Sequence, residues 1–292
     1  MFLTPAVVAY TLIFLYPTLR TIHLSLFEVS GFVGTEMTFR GLKNYQELFR
    51  TPLFIESIGN IMKIWLIGGF ILFALVFMFS AMLSSGIRNK NFFRAIIYLP
   101  NLIPVVAMTT MWTQYIYNPR YGMLKTFFEF IGWESAAAIQ WTSQDMLFWG
   151  MLIAYVWGGV GWFLLIILAG VERIPTHFYE AARLDGANQF KMFFQITLPL
   201  LRDVLRVAVV MWSITVLNLF AFAKVWTPVV QQRATYTPAI YLYELAFGGG
   251  SLGQGGANVG KAAAVGVLLL VSVMLISSLI SRVLKEDPNI QY

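Results

Sequence analysis

Residues 171–199 read Val171-Glu-Arg-Ile-Pro-Thr-His-Phe-Tyr-Glu180-Ala-Ala-Arg-Leu-Asp-Gly186-Ala-Asn-Gln-Phe-Lys-Met-Phe-Phe-Gln-Ile196-Thr-Leu-Pro199. Pro175 suits a first helical turn, where its missing N–H costs nothing. Gly186 suits the left-handed position that ends a helix. Asn188 can cap a second short helix carrying Phe190, Phe193 and Phe194, and Pro199 is expected to stop it. The reading is helix–turn–helix with an aromatic surface on a polar segment, a pattern that marks a docking site for another protein.

On both sides of this segment the charges vanish. Met1 to Leu19 carries none; Lys63 to Arg88 encloses 24 uncharged residues, Arg94 to Arg120 encloses 25, Asp145 to Glu172 encloses 26, Arg206 to Lys224 encloses 17 and Lys261 to Arg282 encloses 20. A helix crossing the hydrocarbon core needs about 17–25 apolar residues, and only helices or closed barrels satisfy their backbone there. The expected fold is therefore an all-α integral membrane protein, one transmembrane domain over 1–292. Its six transmembrane helices lie at about 3–27, 60–86, 94–117, 146–170, 203–224 and 261–284, with the polar loop 171–202 between the fourth and fifth. The 292 residues are 58% hydrophobic and 12% charged. A soluble domain carries about 25% charge, so composition excludes an ordinary globule. The first run lacks a basic head and a small-residue cleavage site, so it is not read as a signal peptide.

Positive charge in short loops favours both termini on the cytoplasmic side. The net charge of +6 then divides between inner loops and outer segments, and is no nucleic-acid signal. With no cysteine and only His23 and His177, no metal set is expected. Gly255-Gly-Ala-Asn-Val-Gly260-Lys261 imitates a phosphate-cradling loop but has Ala262 where Ser or Thr is required. Its expected role is a loop feeding the sixth span, with Lys261 at the interface. Gly31, Gly34, Gly41 and Pro52 mark an outer segment ending in an interfacial helix near Tyr45–Phe49; Trp133 and Trp141 mark a second outer loop, and Gly248–Gly256 a third. Gly150, Ala154 and Gly158 recur at i, i+4, i+8, read as close helix packing, or as room for a solute beside Gly159 and Gly161.

Glu180-Ala-Ala, three residues, Gly186, nine residues, Ile196, one residue, Leu198-Pro199 resembles the EAA loop of ABC importer permeases at full spacing. Ala169-Gly170, Ile174-Pro175, Tyr179, Asp185 and Ala187 resemble the carbohydrate-uptake (maltose-type) branch, as do Tyr16-Pro17, Ser25-Leu-Phe27, Gly41-Leu-Lys-Asn-Tyr45, Leu99-Pro100 and Asn118-Pro-Arg-Tyr-Gly122. The resemblance implies a non-enzymatic inner-membrane subunit of a binding-protein-dependent sugar importer in a bacterial cell membrane, with no catalytic residue and no cofactor of its own. ATP and magnesium would sit on a pair of cytoplasmic ATPase subunits. The other implied partners are a second homologous permease, an extracytoplasmic solute-binding protein, a di- or oligosaccharide and the lipid bilayer. Tyr179, Glu180, Ala181, Ala182, Asp185, Gly186 and Ala187 would couple to the ATPase. The chain departs from the family in Trp226-Thr-Pro-Val-Val-Gln231, where a Thr-Gly-Gly-Pro-like turn is usual.

Trp212, Thr215 and Asn218 at i, i+3, i+6 on the fifth span, and Gly159 and Trp162 on the fourth, match the positions of the family's pocket residues. Both tryptophans are equally readable as packing residues. Arg20, Lys63, Lys224, Arg233 and Lys261 suggest a basic outer mouth and an acidic saccharide, an argument diluted by Glu28, Glu36 and Glu244. A self-contained secondary transporter or channel, or a membrane-embedded glycan-modifying enzyme, would need ionisable groups inside the spans. The charge-free runs hold none.

Overall fold

The computed structural model describes residues 3–29, 36–85, 87–248 and 257–284. Gly31, Gly34, the stretch 249–256 with the start of the phosphate-loop imitation, and Lys285 lie outside the described residues. The described chain is mainly helical, with α1 at Thr4–Leu24, α2 at Lys43–Arg50, α3 at Pro52–Ser84, α4 at Lys90–Leu102 and α5 at Val105–Ile116. After short helices at Met123–Phe130 and Glu134–Ala137 come α6 at Leu147–Val171, α7 at His177–Leu184 and α8 at Gln189–Met192. Then follow α9 at Arg202–Leu217, α10 at Ala221–Trp226, α11 at Pro238–Phe247 and α12 at Val259–Val283.

Among the described residues, α1, α3, α6 and α12 are each long and apolar enough to cross a bilayer. The expected third span is broken: α4 and α5 meet at 95°. The cause is local. Leu99–Leu102 tightens into a 3-10 turn, and Ile103 is extended as the residue before Pro104. The expected fifth span is also two pieces, the 16-residue α9 and the six-residue α10, separated by residues 218–220. The second begins earlier than the charge gap indicated, since α3 starts at Pro52 and carries Glu56 and Lys63 on its first turns.

Two prolines sit inside helical stretches, for a shared reason. A five-residue π turn ends two residues before Pro17, at Thr11–Leu15, and another two residues before Pro199, at Phe193–Thr197. A proline ring clashes with the carbonyl four residues back. The widened turn holds that carbonyl in both cases, so the ladder is already opened where the ring needs room. Pro199 thus does not stop its helix, which continues to Leu200 and breaks at Leu201.

The chain divides into two compact units, residues 1–62 with 217–274 and residues 63–216 with 275–292. In the second, α3 and α6 pack through Leu83, Leu164 and Leu168, with Phe79 and Ile97 against them. A Cβ at Gly161 would stand 2.6 Å from the Ile97 carbonyl oxygen. Gly158 in the small-residue stripe likewise admits a close neighbour, since a Cβ there would stand 3.0 Å from Met108 of α5, and at Gly161 the backbone of α4 leaves no room for a side chain.

In the first unit, a two-stranded hairpin (β1 Phe27–Glu28, β2 Thr38–Phe39) lies beside α2 and the start of α12. Buried Asn44 donates from Nδ2 to the carbonyls of Ser25 (2.8 Å) and Phe27 (2.9 Å), and Tyr45 Oη donates to Ser25 Oγ at 2.7 Å. Gly260 completes the knot, since a Cβ there would come within 2.1 Å of the Phe27 oxygen. Lys261 pairs with Glu47 at 2.6 Å, and Arg40 joins Glu47 to Glu28. The Gly-Lys pair that imitates a phosphate loop is thus a close backbone contact followed by an ion pair.

Candidate functional site

The interhelical segment is built almost wholly from local rules. Thr176 stands at the N-cap of α7, with Pro175 one position earlier than the first turn expected for it. At the other end Gly186 has φ +75°, a conformation costly for L side chains. Its N–H bonds the Arg183 carbonyl (3.0 Å) and the Ala187 N–H reaches back to Ala182 (2.9 Å). Those two bonds are the paired closure of a Schellman end, which satisfies the last carbonyls of the helix. Two residues later the Asn188 side chain accepts from the Lys191 N–H at 2.8 Å, capping α8. The segment therefore turns within three residues, with neither cap dependent on distant contacts.

Glu180, Ala181, Asp185 and Gly186 are exposed, whereas Tyr179, Ala182 and Ala187 are half-buried. Glu180 lies in the first turn of α7, where the exposed N–H groups favour a carboxylate. Leu184 is 91% exposed and Phe190 73%, too much apolar surface for a solvated loop without a partner. Tyr179 Oη and Thr197 Oγ1 lie 3.0 Å apart, tying α7 to the π turn that follows α8. Thr197 sits one residue before the Leu-Pro pair that sequence reasoning quoted, and was missed because a threonine there has no distinguishing pattern.

The proposed solute residues separate. Trp212 is a buried packing residue: Nε1 donates to the Trp65 carbonyl at 3.0 Å, and a Cβ at Gly69 would stand 2.6 Å from the same nitrogen. Beside it Trp65 Nε1 donates to Ser213 at 2.8 Å. Thr215 is exposed and donates to Met211 within its own helix. Asn218 is the turn residue that directly follows the last residue of α9, Leu217. Trp162 is 45% exposed, and a Cβ at Gly159 would meet only the Leu72 side chain, at 3.1 Å.

The expected basic mouth is largely neutralised. Lys224 pairs with buried Glu244 at 3.0 Å, Arg233 with Glu56 at 3.1 Å and Lys261 with Glu47. Tyr236 also donates a short bond to Glu244, and burial together with that carboxylate pushes the phenol well above its usual range. The atypical 226–231 loop is held from within: Gln231 donates to Ala223 and Thr235, and Thr227 meets Thr235. Its apolar tip, Val229, is 93% exposed.

The family described as binding-protein-dependent transport system inner membrane component matches residues 78–286. The probable ABC transporter permease protein YurN of Bacillus subtilis is 30% identical over 287 residues, covering 95% of this chain and 92% of its own. The trehalose/maltose transport system permease protein MalF of Thermococcus litoralis is 28% identical, covering 92% and 88%. Among solved structures, a chain of a bacterial ABC transporter involved in import of the acidic polysaccharide alginate aligns with TM-score 0.77 at 22% identity, over 98% of this chain and 95% of that one.

Proposed function

Because this chain belongs to the binding-protein-dependent transport system inner membrane components, we propose that it forms half of a translocation pathway for a di- or oligosaccharide. It works as one permease domain and is driven through the α7–α8 hairpin by a cytoplasmic ATPase. The sugar assignment rests on the trehalose/maltose relative. The observation that carries the coupling role is the self-capped hairpin, rigid by its own hydrogen bonds and bearing Leu184 and Phe190 uncovered. A rigid lever with an apolar face transmits motion that a flexible loop would absorb.

In this reading six crossings are made by α1, α3, the bent α4–α5 pair, α6, the α9–α10 pair and α12, with both termini and the hairpin in the cytoplasm. Tyr179, Glu180, Ala181, Ala182, Asp185, Gly186 and Ala187 meet the ATPase pair. A second permease subunit completes the pathway, and an extracytoplasmic binding protein delivers the solute. Gly159, Trp162, Thr215 and Asn218 are the solute candidates retained in this reading, and the buried Trp212 packs against Trp65. Three of the five outer cations are neutralised, so an acidic saccharide gains support only from Arg20 and Lys63.

The test is Glu180→Lys in the reconstituted complex of both permeases, ATPases and binding protein. Solute-stimulated ATP hydrolysis is expected to fall to the basal level while the complex still assembles. Undiminished stimulation refutes the coupling role, and solute uptake by this chain without an ATPase refutes the importer reading.

A further inference from the structure

A cavity of about 1230 Å³ lies between the hairpin and the neighbouring ends of α3 and α4, within the second unit. One wall is the end of α3, with Ala74, Phe77, Met78, Ala81 and Met82. The opposite rim carries Lys90 and Arg94 from the first turns of α4. Both cations face a single half-exposed carboxylate, Glu172, at 3.7 and 3.6 Å, beyond good hydrogen-bond reach. The other charges on the lining are Arg183 and Glu180, so cations exceed carboxylates by three to two.

Two donors in this lining have no acceptor among the described residues: Arg94 Nε and the Ser80 hydroxyl, the latter on a residue only 1% exposed. Buried polar groups are nearly always partnered, and an orphan costs about 1–3 kcal/mol. Both atoms are sealed behind the lining, so the groups an occupant meets are the ammonium of Lys90 and the guanidinium tip of Arg94, on side chains that are partly exposed. These cations call for an occupant with acceptor oxygens, and the apolar α3 wall for one that also brings hydrocarbon.

We propose that this cavity holds an anionic phospholipid of the cytoplasmic leaflet, its phosphodiester between Lys90 and Arg94 and an acyl chain along Phe77 and Met78. The inference rests on the topology proposed above, which puts the end of α3 and the start of α4 at the inner headgroup level. Basic pockets between spans on that side suit acidic headgroups. Methionines at 78 and 82 conform to an acyl chain of variable shape. A polyanion lacking hydrocarbon would leave the α3 wall bare, which favours lipid over free phosphate.

The test uses the assembled transporter in phosphatidylcholine nanodiscs with and without phosphatidylglycerol, followed by detergent exchange and native mass spectrometry. Wild type is expected to retain phosphatidylglycerol, one per copy of this chain, in preference to phosphatidylcholine. Lys90→Gln and Arg94→Gln should each weaken retention about fivefold, from the contribution of one basic residue at a headgroup. Lys90→Arg should restore it. If the Gln variants do not assemble, wild type decides by itself. Equal retention of the neutral lipid, or displacement of phosphatidylglycerol by inorganic phosphate at matched concentration, overturns the proposal. The chain has no cysteine, so labelling Asn91→Cys with an impermeant maleimide reports topology separately. Labelling from the outer side sinks the topology, whereas lipid indifference with inner labelling sinks only the lipid site.

Discussion

Replacing Gly186 isolates how much of the coupling signal depends on one backbone angle. At φ +75° an L side chain is strained, and a Cβ built there meets nothing within 4 Å. The penalty of Gly186→Ala is therefore conformational alone, about 1–2 kcal/mol for a non-glycine residue in the left-handed region. That shifts the balance between the closed and opened hairpin by about five- to thirtyfold. Gly186→Asn should cost less, because asparagine tolerates this region. Gly186→Pro should cost most: it forces φ near −65° and removes the N–H that bonds Arg183 at 3.0 Å. The assay is solute-stimulated ATP hydrolysis by the reconstituted complex, normalised to the amount assembled. The expected order is Gly, Asn, Ala, Pro, with basal hydrolysis steady throughout. An alanine variant as active as wild type, or an asparagine variant worse than alanine, refutes the argument from the capped turn.

Gly260→Ala should lower the melting temperature of the purified chain, since its Cβ would overlap the Phe27 oxygen and overpacking costs about 1–3 kcal/mol. Asn44→Ala should destabilise by a similar amount, read by the same melt, because it strips the donor from two carbonyls. Lys261→Ala should leave labelled-ATP binding by this chain unchanged, because its ammonium is occupied by Glu47. The hydrogen bond from Lys261, aided by the charges of Lys261 and Arg40, holds the Glu47 carboxyl below the usual range. A depressed carboxylate stabilises the fold above its unfolded value, about 4.3, and loses that contribution as pH falls through the lower folded value. Melts between neutral and strongly acidic pH should show this loss in wild type and not in Glu47→Gln. Trp212→Phe should lower stability and leave the KM for solute unchanged; a selective rise in KM would restore Trp212 to the solute contacts.

The boundaries of α6 and α12 fall within two residues of the positions expected from charge gaps, because insertion in lipid depends on composition summed along a helix. The two caps of the hairpin were equally legible, since their hydrogen bonds at Gly186 and Asn188 span three to five residues. The interruptions of the expected helices share a cause. The 95° bend between α4 and α5 and the end of α9 before Asn218 interrupt apolar runs that composition alone presents as continuous. The pairing of Lys261 with Glu47, Lys224 with Glu244 and Trp212 with Trp65 joins residues 20 to 214 positions apart. No spacing rule reaches across such distances, so tertiary packing alone decided which cations are neutralised and which tryptophan is buried. Local hydrogen bonding and hydropathy were written in the sequence; the use of each polar side chain waited on the neighbours that folding brought to it.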